Sequence, residues 1–211
     1  MRERAFSPDR MQFAWIWRAV WAACLLPLML LVAGGLRDAL GANPIEHITR
    51  ATGDWTLRLL LLTLAVTPLR QLTGWHWLVR LRRTLGLYAF FYGCLHLATY
   101  VWLDQFFDWP GIVADIVKRP FVTLGFAAFV LMLPLAVTST NGMIRRLGGR
   151  AWQRLHRAVY AVGVLGVAHY WWLVKKDLTE PIAYALVLAT LFALRLWHGR
   201  RMRRTLEAQA A

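Results

Sequence analysis

Long apolar stretches recur along the 211-residue chain and limit what it can fold into. A helix needs ~20 apolar residues to cross the hydrocarbon core of a bilayer. Hydrophobic residues make up 58% of the chain and charged residues 17%, less than the roughly 25% of soluble domains. The sequence therefore predicts one all-α membrane domain, residues 1–211, with six transmembrane helices. The predicted spans are about 15–36, 54–72, 85–104, 120–138, 156–174 and 180–198.

The basic residues predict the orientation of these spans. With the N-terminus in the cytoplasm, seven of the 25 basic residues lie outside and 18 lie inside. The outer seven are Arg37, Arg50, Arg58, Lys118, Arg119, Lys175 and Lys176. Cytoplasmic loops carry an excess of Lys and Arg, so both termini are predicted to be cytoplasmic. The net charge of +14 is then a topology signal that meets anionic lipid, and nucleic-acid binding is not predicted.

Two predicted spans contain an arginine that shortens their apolar core. Arg58 lies in the second span and Arg195 in the sixth. Long basic side chains near a span end can extend to the interface, so both spans are kept and both side chains are expected to reach the membrane surface. The first span is expected to be retained and not cleaved as a signal peptide, since its retention gives the charge asymmetry above.

Six histidines divide by depth into two groups. His47, His76 and His198 fall at span ends or in loops, where an interfacial or solvated side chain is expected. The other three lie within spans that run from inside to outside: His96, His156 and His169. An ionisable residue in hydrocarbon is costly and is usually paired or functional.

Spacing predicts which of these histidines share a depth. His96 is thirteen residues beyond Arg83, and His169 is thirteen residues beyond His156. At ~1.5 Å per residue, His156 should lie ~20 Å further in than His169. His96 and His169 should therefore occupy the same level in the outer half of the membrane.

A matched pair of histidines on two helices is what bis-histidine ligation of haem requires. Each imidazole binds one face of the iron, and the metal satisfies both buried rings. Hydrogen-bonded structural histidines are the alternative. Three intramembrane histidines on two helices with basic flanks favour haem, with His96 and His169 as the outer pair.

His156 has no predicted histidine partner at its own depth. The facing part of the third span would be near Arg82–Leu85, which contains no histidine. An inner haem would be five-coordinate, would use another ligand type or would recruit His76. Alternatively, His156 would contact a quinone or a flavin. Arg82 and Arg83 lie near this layer and would suit haem propionates or a flavin phosphate, although topology signalling is their default role.

Several blocks of the chain resemble a known family. They are GANPIEHITRATGDWTLRLLLLTLAVTPLR (41–70), RRTLGLYAFFYGCLHL (82–97), LAVTSTNGMIRRLGGRAWQRLHRAVY (135–160) and GVAHYWW (166–172). They resemble MsrQ, formerly YedZ, within the ferric-reductase-like transmembrane group. The resemblance covers most of residues 15–198.

This resemblance implies a fold, cofactors and partners. It implies a six-span protein of the bacterial inner membrane that binds b-type haem, with FMN as a second cofactor. Electrons would pass from the quinone pool to MsrP, a periplasmic molybdopterin enzyme that reduces methionine sulfoxide in oxidised proteins. His96, His156 and His169 match the haem-ligand histidines of the family.

The sequence thus predicts a transmembrane electron conduit and a redox subunit with no acid, base or nucleophile constellation of its own. Electrons would enter near His156 and leave outward from the haem of His96 and His169. The acceptor would dock near Phe106–Pro110 or the 174–180 turn. The rival interpretations are a proton or ion transporter with a histidine relay and a non-catalytic membrane anchor.

Overall fold

The computed structural model of the chain describes residues 6–174 and 176–210. Of the basic residues counted above, Arg2, Arg4 and Lys175 lie outside the described residues, as do the side chains of Arg203 and Arg204. The described part is helical and contains no strand. The predicted all-α class is confirmed.

Nine α-helices follow one another along the described chain, with one 3₁₀ helix and one π-helix between them. They are α1 (Arg10–Leu36), α2 (Pro44–Thr73), the 3₁₀ helix (His76–Leu81), α3 (Arg82–Ala98), the π-helix (Thr99–Asp104), α4 (Trp109–Lys118), α5 (Pro120–Val137), α6 (Asn141–Leu147), α7 (Gly149–His156), α8 (Ala158–Leu173) and α9 (Thr179–Ala210).

Four helical segments of the described chain are long and apolar enough to cross a membrane. They are Arg10–Leu36, His76–Asp104, Pro120–Val137 and Thr179–Arg201, which match the first, third, fourth and sixth predicted spans. The second and fifth predicted spans correspond to α2 and α8. Neither helix has both the length and the mean hydropathy of the four segments above. The number of six spans stays a prediction.

The predicted fifth span differs from the structure at its inner end. The span was placed at 156–174, but α7 ends at His156 and α8 begins at Ala158. Around Arg157 the hydrogen bonds tighten, because the Tyr160 N–H donates to the Arg157 carbonyl three residues earlier, at 3.0 Å. His156 and His169 therefore do not belong to one uninterrupted α-helix.

Two helix pairs form the centre of the bundle. Among the described elements, α2 packs most extensively on α3, and α5 packs most extensively on α8. Leu59, Leu64, Ala89, Tyr92 and Val162 are among the most buried side chains. In contrast, α1 has only a few buried residues and exposes many large apolar side chains. This distribution fits a bundle whose outer surface meets lipid.

Arg195 lies inside the bundle, so the expectation that it extends to the membrane surface is wrong. Its Nη2 donates to the Leu64 carbonyl of α2 at 2.5 Å, and its Nη1 donates to the Tyr160 hydroxyl at 2.7 Å. Pro68, four residues after Leu64, has no N–H to donate to that carbonyl. The proline thus frees an acceptor that the guanidinium uses, and this bond joins α9 to α2.

Arg58 is also held within the bundle. Its Nε donates to the Tyr184 hydroxyl of α9 at 2.9 Å, and its guanidinium carbon lies 5.3 Å from the centre of the Trp55 ring. The expectation of an extended, surface-reaching side chain is therefore replaced by a second link between α2 and α9.

Tyr92 of α3 inserts into the hydrogen-bond ladder of α1 beside Pro27. The Leu28 N–H would ordinarily donate to the Cys24 carbonyl. Instead it donates to the Tyr92 hydroxyl at 3.1 Å, and that hydroxyl donates to the Cys24 carbonyl at 2.8 Å. One side chain from α3 therefore completes a bond of α1 next to the proline.

The Arg195 link predicts a rescue by Pro68→Ala. Arg195→Leu leaves the Leu64 carbonyl and the Tyr160 hydroxyl without this donor, and each unpaired buried group costs about 1–3 kcal/mol. Pro68→Ala supplies an N–H to the Leu64 carbonyl. In detergent, we expect the thermal midpoint to fall in Arg195→Leu and to recover in part when Pro68→Ala is added. Strictly additive effects of the two substitutions would contradict this account.

The Tyr92 link predicts a difference between two tyrosines one turn apart on α3. Tyr92→Phe should lower the free energy of unfolding by about 1–3 kcal/mol, because the insertion into α1 is lost. Tyr88→Phe is the matched control, because the buried Tyr88 hydroxyl makes no hydrogen bond to a described residue. We expect Tyr88→Phe to leave the thermal midpoint unchanged. Equal losses in both variants would show that the Tyr92 hydroxyl has no special role.

Candidate functional site

Two histidines face each other between the central helix pairs. The ring centres of His96, on α3, and His169, on α8, are 6.2 Å apart, and the ring planes are inclined at 77°. Both side chains are half-buried. The structure thus brings together the two histidines that the depth argument paired.

The same nitrogen of each ring is held by a backbone carbonyl of a neighbouring helix. The Nδ1 of His96 is 2.9 Å from the Thr49 carbonyl oxygen on α2, and the Nδ1 of His169 is 2.6 Å from the Phe121 carbonyl oxygen on α5. Because a carbonyl only accepts, Nδ1 must carry the proton in both rings. Each Nε2 is then unprotonated in the neutral imidazole, with its lone pair available to a metal.

The spacing of the two rings fits a metal held between them. Metal–imidazole nitrogen bonds are ~2.0 Å long, so two ligands on opposite sides of one ion have nitrogens ~4 Å apart and ring centres ~6 Å apart. The observed separation of the ring centres is 6.2 Å. Hydrogen bonds from Nδ1 to backbone carbonyls are also the usual outer support of metal-binding histidines. The residues present therefore fit a bis-histidine metal.

His156 lies in a different environment, at the end of α7. Its ring stacks on Trp152, with centres 3.9 Å apart. Its Nε2 is 3.0 Å from the Thr138 hydroxyl, which itself donates to the Pro134 carbonyl at 2.6 Å. The hydroxyl oxygen must therefore accept from His156, so the proton lies on Nε2. The nitrogen left with a free lone pair is Nδ1, unlike in the outer pair.

Trp152, which stacks on His156, is itself bonded to Thr138. Its indole N–H donates to the Thr138 carbonyl at 2.9 Å. Thr138, the residue after α5, thus receives one bond through its hydroxyl and another through its carbonyl. Neither Thr138 nor Trp152 is predicted as a site residue from the sequence. The spacing of Trp152 four residues before His156 would have indicated one helix face.

Arg82 and Arg83, the two arginines predicted near the inner layer, have different neighbours in the structure. Arg82, at the start of α3, lies close enough to act electrostatically on both His156 and Arg195. Arg83 donates to the side-chain oxygen of Asn141, at the start of α6, with an N–O distance of 2.7 Å. Arg82 therefore belongs to the inner layer around His156, whereas Arg83 ties α3 to α6.

A match to a protein family defines the class of protein to which the chain belongs. Residues 52–167 match the family described as "Ferric reductase like transmembrane component". This range contains His96 and His156 and ends two residues before His169. The chain is therefore a ferric-reductase-like transmembrane protein.

Curated relatives define the particular family. The chain is 54% identical to a protein of Herminiimonas arsenicoxydans over 91% of this chain and 89% of the relative. It is 59% identical to a protein of Azospira oryzae over 90% and 82%, and 51% identical to one of Caulobacter vibrioides over 94% of each. All three are named "Protein-methionine-sulfoxide reductase heme-binding subunit MsrQ". The chain belongs to the MsrQ family, as its resemblance predicts. No solved structure matches the chain.

Proposed function

We propose that this protein is the membrane electron-transfer subunit of a methionine sulfoxide reductase system. It would take electrons from the quinone pool and deliver them to a periplasmic molybdopterin enzyme of the MsrP type, which repairs oxidised proteins. The observation that carries the proposal is the facing pair His96 and His169, each with Nδ1 bonded and Nε2 free. The relatives named as haem-binding subunits support haem as the ligand, and we propose that it is b-type.

The side chains of the site do not carry electrons by themselves, and the proposed haem would supply that chemistry. Bound haem supplies reversible one-electron chemistry, and the protein supplies position and electrostatics. His96 and His169 would hold the iron through Nε2. The carbonyls of Thr49 and Phe121 keep the proton of each ring on Nδ1, fix the ring orientation and make Nε2 a stronger donor.

We propose a second redox station around His156. The positive charge of Arg82 near this ring would complement a haem propionate or the phosphate of FMN. His156 is a proposed haem ligand here too, and its bond to Thr138 sets a condition on that role. Ligation would use Nδ1, or Thr138 would have to release Nε2. A flavin contact at this station needs neither change, and Trp152 offers a neighbouring aromatic surface.

We also propose the predicted topology: six spans in the bacterial inner membrane, both termini cytoplasmic, and lipid against the exposed apolar surface. The basic residues support it, and the acidic residues, which contribute little to orientation, have the opposite distribution. Eight of the eleven fall on the proposed outer side, where basic residues are fewest. The eight are Asp38, Glu46, Asp54, Asp104, Asp108, Asp115, Asp177 and Glu180.

The outer loop before α4 is the proposed docking surface for the periplasmic partner. Phe106 and Phe107 are 76% and 51% exposed, and both have left-handed backbone, with φ of 47° and 61°. Bulky residues rarely adopt this conformation. The loop exposes two adjacent aromatic rings on the proposed outer side. The other predicted surface, the 174–180 turn, includes Lys175, which lies outside the described residues.

A reduced-minus-oxidised absorbance spectrum of the purified protein tests the haem proposal. We expect b-type bands in the wild type. His96→Ala and His169→Ala should each lose the outer haem bands, because one of the two side chains that would hold the iron is removed, and His156→Ala should have a weaker effect. His47→Ala is the control: His47 is exposed and, although it precedes Thr49 by only two residues on α2, residues two apart point to different faces of a helix. A pyridine haemochrome assay gives the number of haems per chain.

Each rival outcome has a distinct signature. Absence of b-type bands in the wild type would refute the haem proposal. Equal retention of the bands in the three histidine variants would refute the pairing. A histidine-relay transporter would instead show proton flux in liposomes without such bands, and a non-catalytic anchor would show neither.

A further inference from the structure

A glycine lies directly against each imidazole of the facing pair. A Cβ added to Gly53, on α2, would be 3.0 Å from Cε1 and 3.1 Å from Nδ1 of His96. A Cβ added to Gly125, on α5, would be 2.8 Å from Nδ1, 2.9 Å from Cε1 and 3.2 Å from Cγ of His169. Both rings therefore pack on bare backbone: a Cβ at position 125 would force a shift, and one at position 53 would require the His96 ring to move by a few tenths of an ångström.

Each glycine is four residues after the carbonyl that holds the same ring. His96 bonds to the Thr49 carbonyl and packs on Gly53, and His169 bonds to the Phe121 carbonyl and packs on Gly125. Residues i and i+4 share a helix face, and each Cα–Cβ bond tilts toward the helix N-terminus. A Cβ at i+4 would thus project into the space beside the carbonyl of residue i, which is where the imidazole lies.

We propose that Gly53 and Gly125 are positioning residues for the two histidines. By leaving the carbonyls of Thr49 and Phe121 accessible, they allow each Nδ1–H to bond to a helix backbone and keep both Nε2 atoms available to the iron. This inference rests on the proposed haem function. It adds two supporting residues, from two further helices, that the histidine pattern does not indicate.

Among the described helical glycines, an added Cβ would also make close contacts at Gly34 with Leu40 (2.7 Å) and at Gly111 with Asp108. Those at Gly53 and Gly125 are the ones made with a histidine. A Cβ at Gly86, Gly93 or Gly166 would meet its nearest neighbour at 3.6, 3.7 and 3.5 Å, which are ordinary contacts. Gly163 is tight, but its close neighbours are Leu188 and Leu64 side chains at 3.3 Å. Gly93 and Gly163 therefore serve as a loosely packed control and a tightly packed control that touch no histidine.

The distances predict an order of effects in the haem-loaded protein. Loss of outer support typically weakens metal binding about 10- to 100-fold. We expect Gly125→Ala to retain haem at least about tenfold more weakly and Gly53→Ala to have a smaller loss, because its contacts are longer. In both variants, the low-spin ferric EPR signal and the midpoint potential of the remaining haem should shift, since ring orientation and ligand strength change.

The two controls separate positioning from simple packing. We expect Gly163→Ala to lower the thermal midpoint and to leave the EPR signal and the potential per bound haem unchanged. We expect Gly93→Ala to change none of these three quantities. Shifts in Gly163→Ala equal to those in Gly125→Ala would overturn the inference, as would Gly125→Ala behaving like Gly93→Ala. A wild type without b-type bands would instead overturn the proposed function and the inference together.

A double variant keeps the test usable if Gly125→Ala accumulates poorly. In a His169→Ala background, a Cβ at position 125 meets no imidazole, so adding Gly125→Ala should no longer lower the thermal midpoint or the yield. An equal loss in both backgrounds would show that the cost at position 125 does not come from the His169 ring. This comparison does not depend on haem at the outer site.

Discussion

Hydrogen bonds from side chains to the backbone of neighbouring helices organise this bundle. In hydrocarbon, an unpaired polar group costs several kcal/mol, roughly, so each must find a partner inside the protein. Here Arg195 bonds to the Leu64 carbonyl, Tyr92 to the Cys24 carbonyl, and Trp152 to the Thr138 carbonyl. Such bonds join α9 to α2, α3 to α1 and α7 to the end of α5. They fix the relative positions of helices whose lipid-like surfaces specify little by themselves.

The facing histidines follow the same rule, and this links the fold to the proposed chemistry. A buried imidazole has two nitrogens to satisfy. The carbonyl of Thr49 or Phe121 satisfies one nitrogen in each ring, and the other is left for a ligand. The bond that stabilises the ring in the bundle is therefore also the bond that selects the metal-binding tautomer. His156 is bonded to Thr138 through Nε2 instead, so the nitrogen that keeps a free lone pair is Nδ1.

The sequence predicted the all-α class, the four long apolar segments and the proximity of His96 to His169, because these follow from apolar length and from rise per residue. It was insufficient where a backbone group is the partner. Nothing in residue types marks the Leu64 carbonyl as free except Pro68 four residues later, and we expected Arg195 to extend to the surface instead. The tightening at Arg157 was likewise missed, since its residues suit a continuous helix. In both cases local geometry overrides the average pattern.

The two central helix pairs give the histidine site a further consequence. His96 belongs to α3 and bonds to α2, whereas His169 belongs to α8 and bonds to α5. Each ring is therefore fixed within one of the two most extensively packed pairs, α2–α3 or α5–α8. An iron between the rings would join the two pairs at the level of the histidines. Each pair would present its ligand already oriented, so binding would require little reordering of side chains. A ligand set that is oriented before the redox change would also have little to reorganise, which favours fast electron transfer.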